Sequence, residues 1–443
     1  MSAGGDTILG GLLSDAEVAG LFADGASIQD IVALEVALAR VQARLGIIPE
    51  AAARGIAAAA ASFEPDIAGL RKGTEQSGVP VIALVEQLRE AVGSEAADFV
   101  HWGATSQDIV DTAMVLQMRR ALDVLSERLD GVCARLAELA ASHRATPMAA
   151  RTRFQQALPT TFGLKAAAWL APLQRSRVRL GELRPRFEVV QLGGAAGTLA
   201  AFGARGIEVM EALAAELGLG APALPWHNQR DTIAEVAGWL SLVTGSLGKA
   251  GLDAALMAQT EVGEARTGPE GSGASSTLPQ KNNPVAGEVL MTLARMNATL
   301  LSGVHQAQLQ AHERDGAAWQ LEWMTLPQMA IATGAALRHA ATMVAHLTPD
   351  VGRMRANLDA SNGAIMAEAA VFALADHLPR GEAQALVKAA CAEAAASGQP
   401  LATVLVDKTA ASIDWPSVLD PLNYLGAADV LIGRVLAAAR ISK

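Results

Sequence analysis

Residues 108–143 read DIVDTAMVLQMRRALDVLSERLDGVCARLAELAASH, and along them Val115, Met118, Leu122, Leu125, Leu129, Val132, Leu136 and Leu139 alternate spacings of three and four without a break. Such spacing lines one face of an α-helix with an apolar stripe. At 1.5 Å per residue the helix is roughly 50 Å long. A rod of that length buries its stripe against near-parallel neighbours. The same pattern runs through residues 232–260 and through Leu293, Met296, Leu300 and Val304. An all-α chain with a central bundle of long helices is therefore predicted.

Nearer the N-terminus, Ser27-Ile28-Gln29-Asp30 has the form of a capping box, and Ile31, Leu34, Leu38, Val41 and Leu45 follow at helical spacing until Gly46 and Pro49. No strand-like alternation stands out apart from a short apolar run over residues 187–192. The Gly193-Gly194-Ala195-Ala196-Gly197 stretch after it lacks the Gly-x-Gly-x-x-Gly spacing and the acidic residue of a dinucleotide site, so it reads as a backbone bend near a substrate. Composition shifts near residues 110 and 355 suggest an N-terminal helical region 1–110, a bundle 111–355 and a C-terminal helical cap 356–443.

Bulk composition narrows the classes of function. Hydrophobic residues reach 51% while aromatics are 4%, which favours helix over a sandwich or barrel. A formal charge of −10 disfavours nucleic acid as a partner. Cys133 and Cys391 lie far apart and outside any paired motif, so neither a disulfide framework nor a zinc site is expected, and Cys133 reads as a small core residue. His305 and His312 lack carboxylates at ligand spacing, so no metal is expected there either. Asp6 and Asp15 interrupt the N-terminus, no secretion signal is read, and a cytoplasmic protein is expected. The most apolar stretch, residues 236–258, contains Lys249 and Asp253, so a membrane span is not expected. The mean hydropathy of +0.26 instead suggests an apolar face covered between subunits.

The richest chemistry lies in Gly271-Ser-Gly-Ala-Ser-Ser-Thr-Leu-Pro-Gln-Lys-Asn-Asn-Pro284. Glycines let the backbone close around an anion, and Ser275, Ser276, Lys281 and Asn283 can converge on one small molecule. Pro284 suits the start of a helix whose positive dipole end points back at the loop. Ser275 to Pro284 resembles the Gly-Ser-Ser-x-Met-Pro-x-Lys-x-Asn-Pro signature of the fumarase/aspartase superfamily, with Ala274 and Leu278 in place of glycine and methionine.

Two further segments carry the resemblance. His101-Trp102-Gly103-Ala104-Thr105-Ser106-Gln107-Asp108 precedes the longest helix and is similar to the superfamily's His-x-Gly-x-Thr-Ser-x-Asp motif, which implies that Thr105 and Ser106 bind a substrate carboxylate. Arg151-Thr152-Arg153-Phe154-Gln155-Gln156-Ala157 is similar to the lyase pattern Gly-Arg-Thr-His-x-Gln-x-Ala, but Arg153 stands where the lyases have a proton-donating histidine. A second lyase histidine aligns with Val79 and is missing too.

Those departures bear on the leaving group. An amine leaving saturated carbon needs a proton from a group titrating near neutrality, which arginine cannot supply. A carboxylate needs no proton and gains from a fixed cation. The resemblance therefore points to the superfamily's cycloisomerase branch, in which a substrate carboxylate adds across a conjugated double bond to close a lactone. It extends to Pro225-Trp226-His227-Asn228-Gln229-Arg230-Asp231, Glu322-Trp323 and residues 420–426. That branch commonly has tryptophan at the position of Arg153, a further departure.

The resemblance implies a three-domain fumarase/aspartase-type fold, a homotetramer sharing its sites between subunits, and an intramolecular lyase acting on a small polycarboxylate without a cofactor. It implies catalytic roles for Ser275, Lys281 and Arg153, and substrate contacts from His101, Thr105, Ser106, Gln155, Arg230, Ser276 and Asn283. A fumarate-releasing lyase and a helical scaffold without turnover are the alternatives.

Overall fold

The structure, a computed structural model, describes residues 7–93, 95–269 and 271–441. Residues 1–6, with the Asp6 used in reading the N-terminus, lie outside the described residues. The fold is helical, and its longest helices are Ser106–Ser142, Phe162–Phe187, Asp231–Met257, Val285–Ala307 and Gly316–His346. Along Ser106–Ser142 the stripe from Val115 to Leu136 is buried, and only Leu139 at its end is half-buried. No single helix among the described residues is long and apolar enough to cross a membrane.

The chain divides into two compact units. The first comprises residues 1–127, 178–245 and 293–337, the second residues 128–177, 246–292 and 338–443. Regions 1–110 and 356–443 of the sequence reading fall in the first and second unit respectively, and region 111–355 is shared.

In the first unit, the helices Asp24–Arg44, Glu50–Ala60 and Val81–Val92 pack around Leu34, Ile56, Leu84 and Leu88, all nearly inaccessible. The first of them begins three residues before the expected cap. Ser27 and Asp30 therefore sit inside the helix, where Ser27 Oγ accepts from Gln117 at 2.9 Å and Asp30 pairs with Arg120 at 3.0 Å. Tertiary partners took the residues that would otherwise have capped. Fully buried Asn297 ties three long helices together, donating to Thr244 and Thr333 Oγ1 and to the Met329 carbonyl. Of the run 187–192, Phe187 ends the helix Phe162–Phe187, and the remainder joins no sheet. It makes one isolated bridge, Val189 with Gly220, and buries Val190 and Leu192.

In the second unit, a hairpin that alternation did not reveal pairs Pro147–Thr152 with Gln155–Thr161. It escaped a period-two reading because its far end is exposed on both faces and a register shift separates Ala149 from Arg151. Ala265–Arg266 pairs with Thr348–Pro349 just before the signature loop. The C-terminal helices pack around Leu374, Val387, Leu401, Leu405 and Trp415.

Candidate active site

The first unit presents the His101–Asp108 segment at the start of the longest helix. Asp108 is 1% exposed and accepts from the backbone amides of Gly193, Gly194 and Thr105 at 2.8, 2.9 and 3.0 Å, while His227 Nε2 lies 2.8 Å from its Oδ1. The glycine stretch thus uses its amides on a carboxylate of the chain itself. Gly193 must be glycine, because a Cβ there would sit 2.7 Å from Pro225 and 2.8 Å from His227. The same Asp108 fixes the backbone that displays Thr105 and Ser106, both half-buried.

His101 has a backbone φ of 62°, a left-handed conformation, and its Nδ1 lies 2.6 Å from Oε1 of Glu35, whose side chain is 1% exposed. A buried carboxylate at Nδ1 orients the ring and favours an N–H there. Sequence reading missed Glu35, which sits on the apolar face of its helix and carries no local motif.

Arg230 is enclosed. Its guanidinium donates to Asp111 at 2.7 and 3.1 Å and to Glu322, and Trp319 Nε1 donates to Asp111 at 2.9 Å. Burial would lower the guanidinium's pKa, but Asp111 and Glu322 outweigh it and hold it above the usual value. Burial raises the Glu322 carboxyl, and Arg230 only partly offsets this. Two carboxylates within the protein therefore already engage Arg230, which braces the helices that begin near Thr105.

The second unit carries the other two segments. Arg153 and Phe154 form the two-residue tip of the hairpin, with φ of 50° and 65°. Two successive positive values mark the turn type that suits hairpin twist, and glycine or asparagine normally occupies it. Arg153, Phe154 and Gln155 are all exposed. Just below the hairpin's tip Arg151 makes a two-pronged ion pair with fully buried Glu264 at 2.8 and 2.7 Å, and Asn357 Nδ2 also donates to Glu264. Glu264 leads into the signature loop, so one ion pair joins the hairpin just below its tip to the base of the loop.

Within the loop, Ser275 Oγ accepts from the amides of Leu278 and Thr277 at 3.1 and 3.3 Å. Two N–H groups aimed at one hydroxyl oxygen are what a serine needs if it is to carry negative charge. Asn283 closes the loop, its backbone amide and Nδ2 donating to the Gly273 carbonyl at 2.8 and 3.0 Å. Only glycine fits at 273, where a Cβ would lie 2.1 Å from the Asn283 carbonyl. Ser276 and Lys281 are exposed, and no carboxylate among the described residues pairs with Lys281.

These three segments are set in a helical frame that known proteins share. A family model described as Lyase matches residues 18–298, and one described as Adenylosuccinate lyase C-terminus matches residues 363–435. The chain belongs to the fumarase/aspartase lyase family. A 3-carboxy-cis,cis-muconate cycloisomerase of Bradyrhizobium diazoefficiens is 42% identical, over 98% of this chain and 99% of that protein. The solved structure of a 3-carboxy-cis,cis-muconate lactonizing enzyme from Pseudomonas putida matches with a TM-score of 0.91 at 38% identity, covering 98% of this chain and 99% of the other. A fumarate lyase structure from Mesorhizobium sp. BNC1 matches with a TM-score of 0.90 at 43% identity, covering 96% and 98%.

Proposed function

We propose that the chain is a 3-carboxy-cis,cis-muconate cycloisomerase, converting its substrate to 4-carboxymuconolactone by intramolecular carboxylate addition. The observation that carries this reading is the end-to-end similarity to proteins named for that reaction. Arg153 fits it chemically, as an exposed cation where a proton donor would serve a departing amine.

In this reading Thr105, Ser106, Lys281 and the loop amides hold substrate carboxylates and bring one carboxylate oxygen against the alkene carbon, so that ring closure is pre-oriented. A carbon–oxygen bond forms, and the π electrons move toward the distal carboxylate, where Lys281 stabilises the enolate-like charge. Ser275 then gives its proton to carbon. The amides of Thr277 and Leu278 that already donate to its Oγ support the resulting alkoxide until solvent returns the proton. The trianion thus takes up one proton and becomes a lactone dianion. Arg153 stabilises the attacking carboxylate, and His101, Gln155, Ser276 and Asn283 line the site. Arg230 acts by bracing rather than by contact, since Asp111 and Glu322 engage it.

The reading includes a cytoplasmic homotetramer in which the three segments of one site come from different subunits. Exposed apolar side chains on the long helices support it: Val178, Leu252, Met296 and Met324 are 52%, 44%, 37% and 63% accessible in the single chain.

The identity with the Mesorhizobium fumarate lyase favours a second reading, release of fumarate from a substituted succinate. One assay separates the two. Ultraviolet loss of 3-carboxy-cis,cis-muconate is expected, with no fumarate from argininosuccinate or adenylosuccinate. Fumarate release without loss of the muconate would reject the cycloisomerase.

A further inference from the structure

Between the helices Val285–Ala307 and Gly316–His346 a short turn carries Arg314, which no sequence motif singled out. Its Nη1 donates to Thr105 Oγ1 at 2.8 Å and its Nε to Gln107 Oε1 at 3.1 Å. We infer that Arg314 is a positioning residue of the carboxylate site, acting through Thr105 to fix which way that hydroxyl presents its proton.

The surrounding contacts leave little freedom in this arrangement. Gln107 Nε2 donates to the His227 carbonyl at 2.9 Å and to Asp111 at 3.2 Å, which turns its Oε1 toward Arg314 and sets the plane of the guanidinium. The turn itself is pinned by Asn228 Nδ2 on the His312 carbonyl at 2.7 Å. Asp315 holds it from the other side, accepting from the amides of Ala311, Ala317 and Ala318.

Thr105 stands where a helix cap normally spends its hydroxyl on the first-turn amides. Its Oγ1 makes no such bond among the described residues. The capping contact comes instead from Asp108, whose Oδ2 accepts from the Thr105 amide. With one lone pair of Thr105 taken by Arg314, the O–H is left to donate outward, which suits a carboxylate. The guanidinium finds no carboxylate at ion-pair distance among the described residues, so its charge is not cancelled locally. Both effects favour an anion at Thr105.

The inference rests on the reading that Thr105 binds a substrate carboxylate, so its test includes binding as well as turnover. Wild type, R314Q, R314K, Thr105→Ala and the R314Q/Thr105→Ala pair are compared by steady-state kinetics with 3-carboxy-cis,cis-muconate and by calorimetry with tricarballylate, a saturated tricarboxylate. R314Q is expected to raise KM and the tricarballylate Kd about tenfold while kcat changes less than about threefold. R314K, with a cation but one donor fork fewer, recovers part of the loss. The double variant is expected to be little worse than Thr105→Ala alone, because the two act through one hydroxyl. Unchanged KM and Kd in folded R314Q, or fully additive losses, would overturn the inference. Should R314Q not fold, wild-type KM and Kd in R314K overturn it equally, and a partial loss sustains it. Tricarballylate binding that depends on Arg314, without muconate turnover, would reject the proposed reaction and leave this inference standing; no binding by wild type would reject both.

Discussion

In the proposed reaction Ser275 is the residue on which the chemistry turns, and its surroundings set the size of the effect expected on removing it. Two backbone amides already donate to its oxygen. Ser275→Ala should lower kcat by about 10²–10⁴-fold, the usual worth of a positioned proton donor, with KM within a few-fold; stopped-flow absorbance on the muconate checks this, and near-normal turnover removes Ser275 from the mechanism. Residue types were legible in the sequence where a motif concentrated them, as with Thr105, Ser106, Ser275 and Lys281. They were not legible where a single side chain reaches across the fold. Glu35 behind His101 and Arg314 behind Thr105 are separated from their partners by 66 and 209 positions, and neither belongs to a motif of polar residues.

Among the elements, the hairpin is held in a conformation its tip residues do not prefer. Left-handed backbone at Arg153 and Phe154 costs on the order of 1–2 kcal/mol per residue relative to a turn that suits it. Replacing the pair with Asn-Gly should therefore raise the urea midpoint while abolishing turnover; a stabilised and fully active variant would deny Arg153 its role. In the turn before Gly316–His346, the Asp315 carboxyl is held below its ordinary pKa chiefly by the amides of Ala318 and Ala311. A lowered folded-state value means that its contribution is complete above the ordinary carboxylate range and is lost as pH falls through that lower value. Urea midpoints followed from about pH 5 to about pH 2 should fall less steeply in Asp315→Asn than in wild type, and identical slopes would contradict the assignment. The long helices were readable because their stripes run unbroken, whereas the hairpin was hidden by its exposed end, and the Ser27–Asp30 cap was misplaced because Gln117 and Arg120 claim those side chains.

For the whole molecule, the proposal that subunits share their sites predicts behaviour that no single subunit can show. Thr105→Ala and Ser275→Ala proteins should each be strongly impaired, yet unfolding and refolding them together should restore part of the wild-type rate, because some hybrid sites then draw every segment from an intact copy. Activity no greater than the sum of the two parents would argue that each chain completes its own site. The all-α class and the family were legible at this scale from three short motifs and a helical period, while the division into two units follows from contacts that no local pattern encodes. The fastening of Arg151 to Glu264 separates the anchorage of the hairpin from its exposed tip. Because the hairpin is locked just below its tip and Arg153 and Phe154 beyond that point are exposed, the two tip residues can be exchanged while the scaffold beneath them stays as it is.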